Sequence, residues 1–161
     1  NKISFHESKN VADAIQQSDI AESGIGPGRG LFQFEVGKGQ GAHTAMNRLI
    51  SQLKKENLPM PSFISELKAS DYDVSFMSPE SQNLLYLANL LQTPDKEGEG
   101  YIKAGFYDTD EDKKYSDKEL AQNWAQYHHA GTEPNTEEYK SMINKFLLDL
   151  QEGYRKKLID K

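Results

Sequence analysis

The chain has 161 residues and a formal net charge of −6, so it has the length of one domain and lacks the basic surface a nucleic-acid binder needs to displace counterions. It has no cysteine, which excludes disulfides, thiolate metal sites and thiol redox chemistry. A chain of this length buries roughly 70% of its unfolded surface, and none of its apolar runs approaches the ~20 residues that span a bilayer or reads as a secretory signal.

Residues 2 to 17 are expected to be helical, with Ile3, Phe5, Val11, Ala12 and Ile15 as the apolar members and Asn10 able to divide the segment in two. Glu7 lies here, in Phe5-His6-Glu7-Ser8. A carboxylate desolvated by neighbours such as Phe5 has its pKa raised and keeps its proton near neutrality, as a general acid must. Taken alone, however, a glutamate is usually a solvated helix charge. If Glu7 ends a helix, most of that helix precedes Asn1, so the chain is expected to be one catalytic domain, residues 1–161, excised from a longer protein, unless Asn1 to Ser8 is a short helix in its own right.

Gly24, Gly26, Gly28 and Gly30 then stand at every second position with Pro27 among them, a run that cannot be helical and is expected to form a shaped loop rather than a strand. It leads into Leu31, Phe32, Gln33 and Phe34, an apolar floor interrupted by one amide. Two phosphate-binding readings fail. The third glycine of a dinucleotide fingerprint falls on Arg29, Leu31 or Gln33, and the lone Gly37-Lys38 is followed by Gly39 where a phosphate loop needs Ser or Thr. Arg29 is expected to pair with Glu22 or Glu35 and so hold the loop's shape.

Glu7-Ser8 followed by Gly28-Arg29-Gly30-Leu31-Phe32-Gln33 resembles the goose-type lysozyme and lytic transglycosylase superfamily. Its signature is a catalytic Glu-Ser at a helix end and a later Gly-x-Gly-Leu-Met-Gln; here Phe32 replaces Met. The separation of the two motifs is longer than the family's, and inserted residues between Ala12 and Gly24 account for that. The wording Gly-Pro-Gly-Arg-Gly-Leu-Phe-Gln-Phe-Glu also resembles the version in bacteriophage cell-wall-degrading proteins. Glu22-Ser23 is a second Glu-Ser pair, but it lies in a loop-forming run, whereas the family's acid is anchored by a helix, so Glu7 is preferred. Glu22 and Glu35 become candidates for a second carboxylate, which an inverting hydrolase holds ~6.5 to 9.5 Å from its acid.

Val36 to Ala42 is a further glycine-rich connector, followed by an amphipathic helix from His43 to Leu53 with Met46, Leu49, Ile50 and Leu53 on one face and His43 as a polar surface residue at its start. Pro59 and Pro61 end that helix and lead to a short one carrying Phe63, Ile64 and Leu67. Ser78-Pro79 opens a leucine-rich helix with Leu84, Leu85, Leu87, Leu90 and Leu91, which is expected to run through the centre of the domain. Residues 94 to 115 are polar and acidic around Tyr101, Ile102, Phe106 and Tyr107. Asp108, Asp110, Asp112, Ser116 and Glu119 match calcium-loop places one, three, five, nine and twelve, but Lys113 takes the place that needs glycine, so the segment is read as a solvated excursion.

Ser116-Asp117-Lys118-Glu119 is a capping box that opens a helix with Leu120, Trp124 and Tyr127 on one face, ending at His128-His129-Ala130-Gly131. The family carries Tyr-Asn-Ala-Gly at such a helix end, so the resemblance puts His129 where asparagine would stand and His128 where tyrosine would, with Tyr127 one place earlier. With four scattered histidines, a zinc site is rejected. Asn135-Thr136-Glu137-Glu138 caps a last long helix with Tyr139, Ile143, Phe146, Leu147, Leu150, Tyr154 and Leu158 as a packing stripe.

The expected fold is mainly α, lysozyme-like, with a small irregular or β-hairpin region near residues 18–41. The resemblance implies a peptidoglycan glycosidase that cleaves the β-1,4 bond between N-acetylmuramic acid and N-acetylglucosamine without a metal or other cofactor. Glu7 would be its general acid, assisted by Glu35 or Glu22, and Ser8, Gly28, Gly30, Gln33, Tyr127 and His129 would hold the glycan. A lytic transglycosylase is the first expectation. A hydrolytic lysozyme, a non-catalytic glycan-binding or structural virion module, and a helical interaction domain whose glycine run merely turns a corner are the alternatives. The partner would be peptidoglycan, with no nucleic acid and no membrane span, and the setting a virion or the bacterial periplasm.

Overall fold

The computed structural model describes residues 2–92, 116–128 and 133–159. Six α-helices are found among them: α1 Lys2–Ser8, α2 Gly41–Lys55, α3 Phe63–Ala69, α4 Pro79–Gln92, α5 Asp117–Asn123 and α6 Glu137–Arg155. Three short strands, β1 Ile15–Gln17, β2 Ile25–Arg29 and β3 Phe34–Glu35, form one antiparallel sheet in the order β1-β2-β3. The protein is therefore mostly α-helical with a small sheet. Its chain divides into two compact units, one holding Ile3–Asn89 and the other Leu90–Lys161 together with Lys2.

Helix α1 stops at Ser8 rather than continuing to residue 17, because Lys9 and Asn10 adopt left-handed backbone with φ of 57° and 63°. Asn10 is a residue type that tolerates this conformation, and the Ser4 hydroxyl holds its side-chain oxygen at 2.5 Å. The chain then turns into β1.

The glycine run is a strand, not a loop, and the reason lies across the sheet. Between Ile15 and Gln17 the β1-β2 ladder slips, with Ile15 opposite Arg29 and Gln17 opposite Ile25, so β2 bulges where Gly26, Pro27 and Gly28 stand. Proline is tolerated at a bulge because the ladder there asks for no N–H. The amide of Gln16 fills the gap: its Oε1 accepts the Gly28 N–H at 2.9 Å. A Cβ on Gly26 or Gly28 would come within 2.8 Å of the end of the Gln16 or Gln33 side chain, so glycine here leaves room for these amides.

In the first unit the sheet packs with α1, α2, α3 and α4 around a core of Ile3, Phe5, Leu31, Phe32, Phe34, Met46, Leu49, Leu67, Val74, Leu85 and Tyr86, all buried. Phe32 stacks on Tyr86 with ring centroids 3.9 Å apart and planes 4° apart, and Phe34 meets both rings edge-on. Helix α2 buries Ala42, Ala45, Met46, Leu49 and Leu53 at helical spacing, as its pattern predicts. Helix α4 is less uniformly apolar than expected. Leu84 is exposed and Leu87 half-buried, whereas Gln82, Leu85, Tyr86 and Ala88 turn inward.

In the second unit the Ser116–Glu119 capping box opens α5, with the Ser116 hydroxyl accepting the Glu119 N–H. The backbone N–H and hydroxyl of Ser116 in turn hold the Glu119 carboxyl below its usual range. A π-helical turn follows over Trp124–His128, and Trp124 packs on Phe146 of α6 with ring centroids 5.3 Å apart. Thr136 caps α6 by accepting the Tyr139 N–H, and Tyr139, Ile143, Phe146 and Leu150 form the buried stripe, while Leu158 is exposed. Residues 108–115 of the calcium-like run and the aromatic island at Tyr101 to Tyr107 lie outside the described residues.

Tyr86→Ala should lower stability by about 3–5 kcal/mol, the range for removing a buried aromatic ring, whereas Ile20→Ala, at a side chain 99% exposed, should change it by less than ~0.5 kcal/mol. Urea unfolding of the two variants measures this, and equal losses would contradict the core described. In α6, burial and the 2.7 Å hydrogen bond its hydroxyl donates to Asp117 push the Tyr154 phenol above its ordinary value of 10.0. Because the protonated phenol is the form favoured on folding, this contribution is complete below the unfolded-state pKa and is lost as pH rises through the folded one. Tyr154→Phe should flatten the alkaline fall of the thermal midpoint above about pH 10, and an unchanged slope would count against the bond.

Candidate functional site

Glu7 and Ser8 form the last turn of α1, both half-buried. The Ser8 hydroxyl has one proton and two carbonyls in range, Ser4 at 3.0 Å and Leu31 at 2.9 Å, so its hydrogen bond is three-centred. The Ser4 carbonyl also accepts the Asn10 N–H at 3.3 Å, so the helix end is closed around it. The Leu31 bond joins the helix end to the turn after β2. Two motifs well apart in sequence are thus tied by a single hydroxyl.

That turn, Gly30 to Gln33, is closed by its own polar groups. The Gly30 carbonyl accepts the Gln33 N–H at 3.3 Å and the Gln33 side-chain amide at 2.9 Å, and Gln33 takes left-handed backbone with φ of 50°. Gly30 itself has φ of 74°, and its N–H reaches the Ala14 carbonyl at 2.9 Å. The Gln33 Oε1 would lie 2.8 Å from a Cβ on Gly28, so the amide of the turn sits over the glycine strand beside that of Gln16.

Arg29 does not pair with Glu22 or Glu35 among the described residues. Its guanidinium donates to the Gly26 and Gly28 carbonyls at 2.6 and 2.9 Å, and its Nε lies 3.9 Å from Asp73. Those carbonyls lie one and three residues back along the arginine's own strand and within its reach, while Glu22 sits in the β1-β2 connection, exposed. Glu35 is also exposed, but it stands opposite Gly28 in the β2-β3 ladder, next to the turn. His43 is half-buried rather than on the surface. Its Nδ1 accepts the Gly39 N–H at 2.8 Å, and its ring centroid lies 4.4 Å from that of Tyr72.

The structure therefore ties Ser8, the residue after Glu7, to the turn that holds Gly30 and Gln33, pairs Gly28 with Glu35 next to that turn, and leaves Glu22 in the loop at the far end of β2. The side chain of Tyr127 and the whole of His129 lie outside the described residues. Sequence reasoning misses Gln16, Asp73 and above all Gln82. The available signal for Gln82 is an amide in step with Leu85 and Tyr86 on the apolar stripe of α4, where a polar residue needs a reason. Its Oε1 accepts the Leu31 N–H at 2.8 Å inside the core.

No family model matches the chain, and no curated protein or solved structure matches it.

Gly30→Ala should be costlier than Gly39→Ala. Both positions have positive φ, but a Cβ at Gly30 would run into Gln82 Oε1 and meet Val74 Cγ2 at 2.8 Å, whereas one at Gly39 meets nothing within 4 Å. The Gly39 variant should lose about 1–2 kcal/mol from backbone strain alone, and the Gly30 variant clearly more. Matching urea midpoints for the two would mean that the turn is not packed as described.

Proposed function

We propose that the chain is a lysozyme-like peptidoglycan glycosidase that cleaves the β-1,4 link between N-acetylmuramic acid and N-acetylglucosamine, acting as a lytic transglycosylase with Glu7 as general acid. The observation that carries this reading is the 2.9 Å hydrogen bond from the Ser8 hydroxyl to the Leu31 carbonyl. It joins the Glu-Ser pair to the Gly-x-Gly-Leu-Phe-Gln turn, the two motifs on which the resemblance rests. A turn with left-handed Gln33, tied to the helix end that carries a half-buried glutamate, also fits a functional site better than a plain corner.

In this reading Glu7 gives its proton to the glycosidic oxygen as the bond from C1 of the muramic residue breaks, and the electron pair leaves with that oxygen. The muramic 6-hydroxyl then attacks C1 and returns its proton to the Glu7 carboxylate, which yields a 1,6-anhydro end and regenerates the acid. The Gln33 amide and the glycine strand hold the sugar, and a place on a phage particle or in the periplasm would bring the enzyme to its polymer. Hydrolysis is the second reading. It is favoured by Glu35, whose position opposite Gly28 puts a carboxylate next to the turn, able to activate a water.

Incubating purified protein with sacculi and weighing the released muropeptides by mass spectrometry tests both readings. Anhydro ends are expected. Reducing ends would assign the hydrolase, and no release would leave a glycan-binding or structural module. Glu7→Gln should lower the rate by about 10²–10⁴-fold, the usual worth of a positioned acid, with the fold retained by circular dichroism. An unchanged rate in that variant would remove Glu7 from the chemistry.

A further inference from the structure

We infer that Gln82 is a positioning residue of the proposed cleavage: from inside the core it holds the Leu31 end of the Ser8–Leu31 bond and so sets the aim of Glu7 without touching substrate. The inference rests on the glycosidase reading and adds to it a residue that neither motif contains.

Gln82 is wholly buried, and Gln82 and Ser4 are the buried polar side chains of the core among the described residues. Both act on the same joint. Ser4 lies one helical turn before Ser8, its hydroxyl donates to Asn10, which ends α1, and its carbonyl shares the Ser8 proton. Gln82 accepts the Leu31 N–H at 2.8 Å and donates to the Ala12 carbonyl at 2.8 Å and the Met77 carbonyl at 3.0 Å. One amide thus ties the turn to the segment leaving α1 and to the entry of α4, using both donors and its acceptor. Burying an amide so fully costs free energy unless each group is bonded, and here each is.

The consequence falls on Leu31. Its N–H is held by Gln82 and its carbonyl by Ser8, so the residue is clamped on both sides. Without Gln82 the N–H loses its buried acceptor, and the turn shifts to find another. That shift moves the carbonyl away from Ser8 and loosens the helix end that carries Glu7. A displacement of about 1 Å in a reacting group is worth ~10²-fold in rate, so the loss appears in kcat and leaves glycan affinity in place.

The experiment uses the full chain with Gln82→Met, Ser8→Ala and the double variant, each assayed on sacculi well below its thermal midpoint. Exchange of the Leu31 amide is followed by NMR. Gln82→Met should speed Leu31 exchange at least about tenfold and lower kcat about 10- to 100-fold, with KM within about twofold. Because Ser8 and Gln82 act through one residue without touching, their kcat effects should fall well short of additive. Where Gln82→Met does not fold, Gln82→Asn, one methylene short of Leu31, carries the same test. A folded Gln82 variant with protected Leu31, unaltered kcat, or effects fully additive with Ser8→Ala overturns this inference alone. A wild type that releases no products overturns the cleavage reading from which it starts.

Discussion

The first unit depends on how one backbone residue is held. Leu31 donates its N–H to a buried glutamine and offers its carbonyl to a serine at the end of α1, and its own side chain is buried in the core. Each of these bonds has a partner that would be costly to leave unpaired, about 1–3 kcal/mol for a buried group. The aromatic layer reinforces the arrangement, because Phe32, the next residue, stacks on Tyr86, one helical turn after Gln82 on the same helix. Polar clamp and apolar stack therefore share a helix, a turn and a register, and neither can slip without the other.

The glycine strand follows from a second constraint. A bulge in β2 leaves backbone groups without ladder partners, and amides and a guanidinium take their place: Gln16 on the Gly28 N–H, Arg29 on the Gly26 and Gly28 carbonyls. The Gln16 and Gln33 amides lie close enough that a Cβ on Gly26 or Gly28 would push their ends aside. Gly26 and Gly28 leave room for those amides over the strand, and the expectation that so many glycines must form a loop overlooks this.

The second unit is built on more local signals. The Ser116–Glu119 box and the Thr136 cap form as their sequences predict, since a cap needs only residues three apart. The stripe from Tyr139 to Leu150 is buried for the same reason: helical spacing alone puts those residues on one face. Tyr154 turns its hydroxyl to Asp117 at the start of α5, a pairing that spacing within α6 could not reveal.

Local chemistry written in the chain was enough to determine the mostly helical class, the starts of α4, α5 and α6, the apolar face of α2, and the two motifs that meet at Ser8 and Leu31. Each depends on periodicity, on a cap or on residue types at short range. The strand in the middle of the glycine run, the pairing of Arg29 with Asp73, the packing of His43 on Tyr72 and the bonds of Gln82 were decided by tertiary structure alone. In each of these the deciding partner is distant in sequence or the backbone is bent by a neighbour across the sheet. An amide among leucines is only an anomaly on a helical wheel until the fold carries Leu31, Ala12 and Met77 to within hydrogen-bonding distance of it.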